Sequence, residues 1–161
     1  MGKALEDIVE EFSSDTLADD EEFQDQYRAD LSINAQDIST EFIKQPGLIS
    51  GYAGIYEAAS DAYRRMKSDF EIFEAETRSR LREELPTQGR KVTEGSIADA
   101  LLLDSEYKAR RKALFEIEHE VETVKICFES IREKGRVLLS LGTIRRAELE
   151  SGIWLNQSKK V

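Results

Sequence analysis

The sequence predicts an all-α protein: a long antiparallel helical hairpin, coiled-coil-like, with short accessory helices and assembly into a homo-oligomer. Three observations predict it. Two long runs, residues 48–85 and 107–138, place apolar side chains every three or four positions, the repeat that lines one side of a helix. Charged residues make up 35% of the 161 positions, and long solvated helices supply the exposed faces they need. Only two prolines interrupt the chain. With 8% aromatic residues, the core is expected to be mostly aliphatic.

Taken in order, residues 1–45 form an acidic amino-terminal arm, 46–155 the hairpin and 156–161 a tail. Residues 1–40 hold twelve acids against Lys3 and Arg28. The formal charge of the whole chain is −10, so residues 41–161 balance, and the acidity belongs to the arm alone. The arm reads as short pieces: a helix from Ala4 to Phe12, a polar turn at "SSDTLADD", and a helix around Glu21 to Arg28. Low hydrophobicity and high charge make it a loosely docked segment, or one that recognises a basic partner or competes for the body's own basic surface.

A helix from Ile38 to Lys44 is expected to stop at "QPG", where Pro46 and Gly47 punctuate the chain. From Leu48 a second helix carries Tyr52, Ile55, Ala59, Ala62, Met66, Phe70, Phe73, Thr77, Leu81 and Leu85 on one side, and ends near Pro86 in "PTQGRK". Thr93 caps a short helix, Glu94 to Leu103, at the tip of the hairpin. Beyond Asp104 the seam Tyr107, Leu114, Ile117, Val121, Val124, Phe128, Ile131, Gly135 and Leu138 keeps heptad spacing, which wants a helix opposite, and the Leu48 to Leu85 run is the nearest. A helix from Ser105 to Ser151 is on the order of 70 Å long. Phe115, Ile126, Val137, Leu139, Ile144 and Leu149 lie off that seam, so self-association is expected. Gly135, on the seam, marks a close helix approach or a kink.

Catalysis has little support. His119, the single histidine, falls on a solvated flank, and its Glu116-x-x-His119 spacing is half of a motif that needs two copies to hold a di-iron pair. Cys127, the single cysteine, excludes an intrachain disulfide and sits beside Phe128 as a packed thiol rather than a nucleophile. No phosphate-binding loop or dinucleotide fingerprint is present. The chain reads as a non-enzyme without a cofactor or metal. The start "MGKALEDIVEEF" carries acid where a signal peptide needs an apolar run, and no stretch of about 18 apolar residues occurs; a cytoplasmic location, without a membrane, is expected.

The cations are clustered. Lys108, Arg110, Arg111 and Lys112 have no acid between them; Glu116, Glu118, Glu120 and Glu122 follow; Arg132, Lys134, Arg136, Arg145 and Arg146 form a second basic band. Arg78, Arg80 and Arg82, with Arg90 and Lys91 in the turn, fall near the 108–112 block if the hairpin closes. That gathering predicts a basic head for phosphate backbones, with arginine stacking on unpaired bases. Arg132, Arg136, Arg145 and Arg146 extend that path or hold neighbouring subunits. Bands of opposite sign also suit a coiled-coil structural or assembly protein, such as a phage component, without nucleic-acid affinity.

The run Ile131, Arg132, Lys134, Gly135, Leu139, Ile144, Arg146 and Glu148 resembles the ending of the UvsY family, recombination mediators of tailed phages: an "I-K-x-R-G" followed by an apolar helix closing in "R-x-x-E". Arg78, Ser79, Arg80 and Leu81 resemble that family's "K-A-R-L", which is associated with single-strand binding. The order of parts also agrees, although this chain is longer and more acidic at its amino terminus. The resemblance implies a ring-forming helical protein that binds single-stranded DNA and helps a recombinase displace the single-strand-binding protein.

Overall fold

The computed structural model describes residues 21–87, 89 and 91–158, with side chains to residue 152. The predicted helix from Ala4 to Phe12, the turn after it, and Arg90 lie outside the described residues. Every regular element among the described residues is α-helix: α1 (Glu21–Leu31), α2 (Ile38–Thr87), α3 (Glu94–Leu103) and α4 (Ser105–Ser158). Among these residues no helix is long and apolar enough to cross a membrane. Contacts divide the chain into two compact units. One takes Glu57–Thr123; the other takes residues 21–56 with 124–158.

In the first unit α2 and α4 run antiparallel, and α3 closes the end. Thr93 caps α3 as expected: its hydroxyl accepts the Ser96 amide at 3.1 Å, while Ser96 Oγ accepts the Thr93 amide at 2.9 Å. This reciprocal box satisfies amides that the first turn cannot pair. Ile97 and Leu101, one turn apart on α3, then pack with Phe73, Leu81 and Leu85 of α2 and Tyr107 of α4. Ile97, Leu101 and Leu85 are all at most 2% exposed. Gly89 takes a φ of +69°, the left-handed turn region open to glycine, and its amide returns to the Pro86 carbonyl at 3.0 Å. The expected break at "PTQGRK" is therefore present.

In the second unit the first half of α2 packs against the last part of α4. Tyr52, Cys127 and Ile131 are buried, with Leu48, Ile49 and Phe128 packed against them. The α1 helix buries no residue completely. It lies on this core through Phe23, Tyr27 and Leu31, with Phe23 and Tyr27 rings 6.3 and 6.1 Å from that of Tyr52. Two polar bonds fix it: Tyr52 Oη donates to Asp30 Oδ2 at 3.2 Å, and Lys134 Nζ donates to the Asp30 carbonyl at 2.7 Å.

The expected stop at "QPG" is a correction. The α2 helix starts at Ile38 and passes through Pro46 and Gly47 without a break. Asp37 starts it by accepting the Thr40 amide at 3.2 Å, and those bonds hold the Asp37 carboxyl below its ordinary range. Pro46 faces solvent, whereas its neighbour Gln45 is 6% exposed and donates to the Ile131 carbonyl at 2.6 Å. Tertiary packing on both sides of the proline outweighs the one amide it lacks. Gly135 proves to mark a close approach: a Cβ there would sit 3.1 Å from Gln45 Nε2, and one at Gly142 would sit 3.1 Å from the Phe42 ring.

Candidate nucleic-acid interface

The first unit gathers the two expected basic blocks but interleaves them with acid. Arg78 binds Glu74, one turn back on α2, at 2.8 Å and reaches toward Glu94 at 3.9 Å. Arg82 binds the other Glu94 oxygen at 3.2 Å. Arg80 binds Asp104 at 2.9 Å and approaches Glu84 at 3.8 Å. Asp104 is also the cap of α4, accepting the Tyr107 amide at 2.9 Å. Three arginines therefore meet four carboxylates, so the cations expected at 78–82 are interleaved with acid. These side chains tie α2 to α3 and to the start of α4, because the sequence places Glu94 and Asp104 at the two ends of α3.

The 108–112 block divides. Arg110 turns inward, holding Glu106 at 2.8 Å and stacking its guanidinium 4.0 Å above the Phe73 ring; its side chain is 20% exposed. That is a packing role, with the cation desolvated over an aromatic face. Lys112 is exposed and pairs with Glu116 at 3.3 Å. Lys108 and Arg111 are exposed, and neither has a carboxylate partner among the described residues. Arg111 instead lies 5.6 Å from the ring of Phe115. Lys91 is exposed in the turn, and its carbonyl accepts the Ser96 hydroxyl.

Lys108, Arg111, Lys112, Phe115, Glu116 and His119 line a shallow open cleft of about 460 Å³ on α4. Helical spacing explains the grouping: positions 111, 112, 115 and 119 lie three, four, seven and eleven residues after 108 and share one face, turned away from Ile117, which is 3% exposed. Phe115 is 55% exposed. Sequence reasoning set Phe115 aside as an off-seam apolar residue; the missed signal was its place one turn from each of two cations.

The second basic band separates as well. Lys134 is 5% exposed and its ammonium meets Glu41 Oε2 at 2.7 Å besides the Asp30 carbonyl. The hydrogen bond from Lys134 outweighs burial and holds the Glu41 carboxyl below its ordinary value of 4.5. Lys134 thus leaves the surface stripe; it borders an open pocket of about 320 Å³ with Asp30, Glu41 and Lys44. Arg136 pairs with Glu133 at 2.7 Å and Arg145 with Glu148 at 3.5 Å. Arg132 is exposed, 5.6 Å from the Phe128 ring, which in turn stacks on Tyr56 at 6.1 Å and 11°. Arg146 is exposed. Cys127 is buried, and burial pushes its thiol up, as a packed thiol requires; burial likewise raises the Tyr52 phenol. His119 is exposed.

No protein-family model, curated protein or solved structure matches this chain.

Proposed function

We propose that the chain is a non-enzymatic protein that binds single-stranded nucleic acid through Lys108, Arg111, Lys112 and Phe115. One observation carries this reading: two cations with no carboxylate partner among the described residues, Lys108 and Arg111, share one helical face with the exposed Phe115 ring. Phosphates would meet Lys108, Arg111 and Lys112 while an unpaired base stacks on Phe115, a combination that tolerates any sequence. The resemblance to the UvsY family narrows the role to a recombination mediator that loads a recombinase onto DNA covered by single-strand-binding protein. On that reading the chain works as a homo-oligomer, a ring in that family, and repetition of a modest site raises avidity.

The test is anisotropy of a labelled oligothymidylate at two salt concentrations. Three phosphate contacts give a log–log salt slope near −2 per subunit, at about −0.7 each. Phe115→Ala is expected to weaken binding about tenfold, within the ~1–3 kcal/mol of one base–aromatic stack. Arg78→Ala with Arg80→Ala is expected to change it far less, since both are already engaged. Absence of binding at about 50 mM salt would refute the reading.

A second reading, a coiled-coil assembly component without nucleic-acid affinity, draws on the exposed apolar residues Ile126 (62%), Val137 (43%) and Ile144 (56%) of α4. It expects Arg132→Glu with Arg136→Glu to dissociate the assembly in light scattering. An intact assembly would count against a contact there.

A further inference from the structure

Resting on the nucleic-acid reading of α4, we infer that Lys67 of α2 is a further phosphate contact, so that the bound strand crosses from the Arg111 edge of α4 over the groove between the two helices. The strand-binding surface then belongs to a helix pair instead of one helix, within the unit that takes Glu57–Thr123.

Two contacts set its level and its side. The Phe70 and Tyr107 rings meet at 5.3 Å, and the Tyr63 hydroxyl donates to Glu118 Oε1 at 3.2 Å. Because α2 and α4 run antiparallel, Lys67, which lies between Tyr63 and Phe70, falls level with Arg111 and Lys112, which lie between Tyr107 and Glu118. Tyr63 and Lys67 are one turn apart on α2, and Arg111 and Glu118 two turns apart on α4, so each pair shares an edge of its helix. The bond from Tyr63 to Glu118 puts those two edges side by side. Helix axes pack about 8–10 Å apart, and long cationic side chains narrow that gap, so one strand reaches both cations.

Local charge leaves Lys67 available. It is exposed and has no carboxylate partner among the described residues. Its ammonium lies 6.0 Å from the Tyr63 ring, as the Arg111 guanidinium lies 5.6 Å from the Phe115 ring. Each helix thus carries a cation and an aromatic ring four residues apart on this side. Of the acids around Lys67, Asp61 holds Arg64, Glu74 holds Arg78, and Glu118 accepts the Tyr63 hydroxyl. Glu71 stands one turn beyond Lys67 and forms no ion pair with it.

Arg65 and Lys91 also lack a carboxylate partner among the described residues, and position separates them from this edge. Arg65 is two residues from Lys67, about 200° round α2 at 3.6 residues per turn. Lys91 stands in the turn before α3. Arg65 therefore carries the same charge as Lys67 on the same turn of helix but faces away from it.

The full chain is titrated with a labelled oligothymidylate between about 50 and 500 mM salt. Lys67 adds a fourth phosphate contact, so the log–log salt slope of the native chain is expected near −3 per subunit rather than −2, at about −0.7 for each contact. Lys67→Gln is expected to return the slope to near −2 and to weaken binding at about 50 mM salt. Arg65→Gln, which removes the same charge from an exposed site, is expected to leave the slope as it is. Circular dichroism checks that both variants keep their helix. A native slope near −2 that Lys67→Gln does not change overturns the inference and leaves the reading of α4 standing. Equal losses in Lys67→Gln and Arg65→Gln also overturn it, because attraction would then follow net charge and not position. No binding by the native chain at about 50 mM salt overturns both.

Discussion

The two units close their cores by different chemistry. In the first, Leu85, Ile97 and Leu101 pack with Phe73, Leu81 and Tyr107, and its ionic contacts stay at the surface or at its edge. In the second, the smaller apolar core of Tyr52, Cys127 and Ile131 is flanked by the buried Lys134, the Glu41 it pairs with, and the buried Gln45. An apolar closure is tolerant of register, because neighbouring turns offer similar surfaces. A buried ion pair permits one arrangement, since any other leaves a charge without water or partner. Lys134 also holds the Asp30 carbonyl, so it fixes α1 as well as the helix pair.

Removing Lys134 is the largest single break expected. Lys134→Met leaves the Glu41 carboxylate, 13% exposed, facing an apolar side chain, and one-sided loss of such a pair costs about 3–5 kcal/mol. Replacing both, as Lys134→Met/Glu41→Leu, is expected to recover most of that. Urea unfolding gives the totals, and amide exchange along α1 locates the loss in the second unit. A double variant as unstable as the single one would show that packing, not charge, governs the site.

The first unit answers to cavity size instead. Leu85→Ala is expected to cost about 3 kcal/mol, in the range for a fully buried leucine whose surroundings relax only in part. Exchange of α3 amides should quicken with it, since Ile97 and Leu101 share that core. Unaltered α3 exchange would separate α3 from the core.

Acid sharpens the contrast. Glu41 titrates below 4.5 when folded, through its bond to Lys134, so its contribution is full above the unfolded value and drains away as pH falls through the lower, folded one. Stability of the second unit is expected to be level above about pH 5.5 and to decline below it. Glu41→Gln should flatten part of that decline, leaving the share from Asp37, whose carboxyl is also held low. An acid limb identical in Glu41→Gln would remove the pair from the account.

Much of the fold was legible because helical seams are written in spacing. Tyr52, Phe73, Leu81 and Leu85 on one run and Tyr107, Ile117, Val124, Ile131 and Leu138 on the other are buried as their periodicity requires, and Thr93 announced its helix by capping chemistry. Pro46 misled because its local penalty is visible in sequence, whereas the packing of Gln45 and Tyr52 that offsets it comes from residues far along the chain. Lys134 was hidden by its own charge, though the intervals Cys127, Ile131, Lys134, Leu138 put it on the seam. The site was legible only as a supply of cations. Whether a cation is free depends on carboxylates such as Glu94 and Asp104, which reach Arg82 and Arg80 across the fold.

The smallest effects test that last distinction. Arg82 and Glu94 form an exposed pair, with side chains 52% and 74% open to solvent, and water screens most of their attraction; Arg82→Ala is expected to cost under about 0.5 kcal/mol. Arg80 faces a different partner. Asp104 is 20% exposed and already accepts the Tyr107 amide, so the guanidinium adds to a carboxylate fixed at a helix start, where negative charge is favoured. Arg80→Ala is therefore expected to cost more, about 1 kcal/mol, and to quicken exchange in the first turn of α4 where Arg82→Ala does not. Equal, small losses from both would mean that neither arginine is held by the fold, and both would return to the supply of cations open to a nucleic acid.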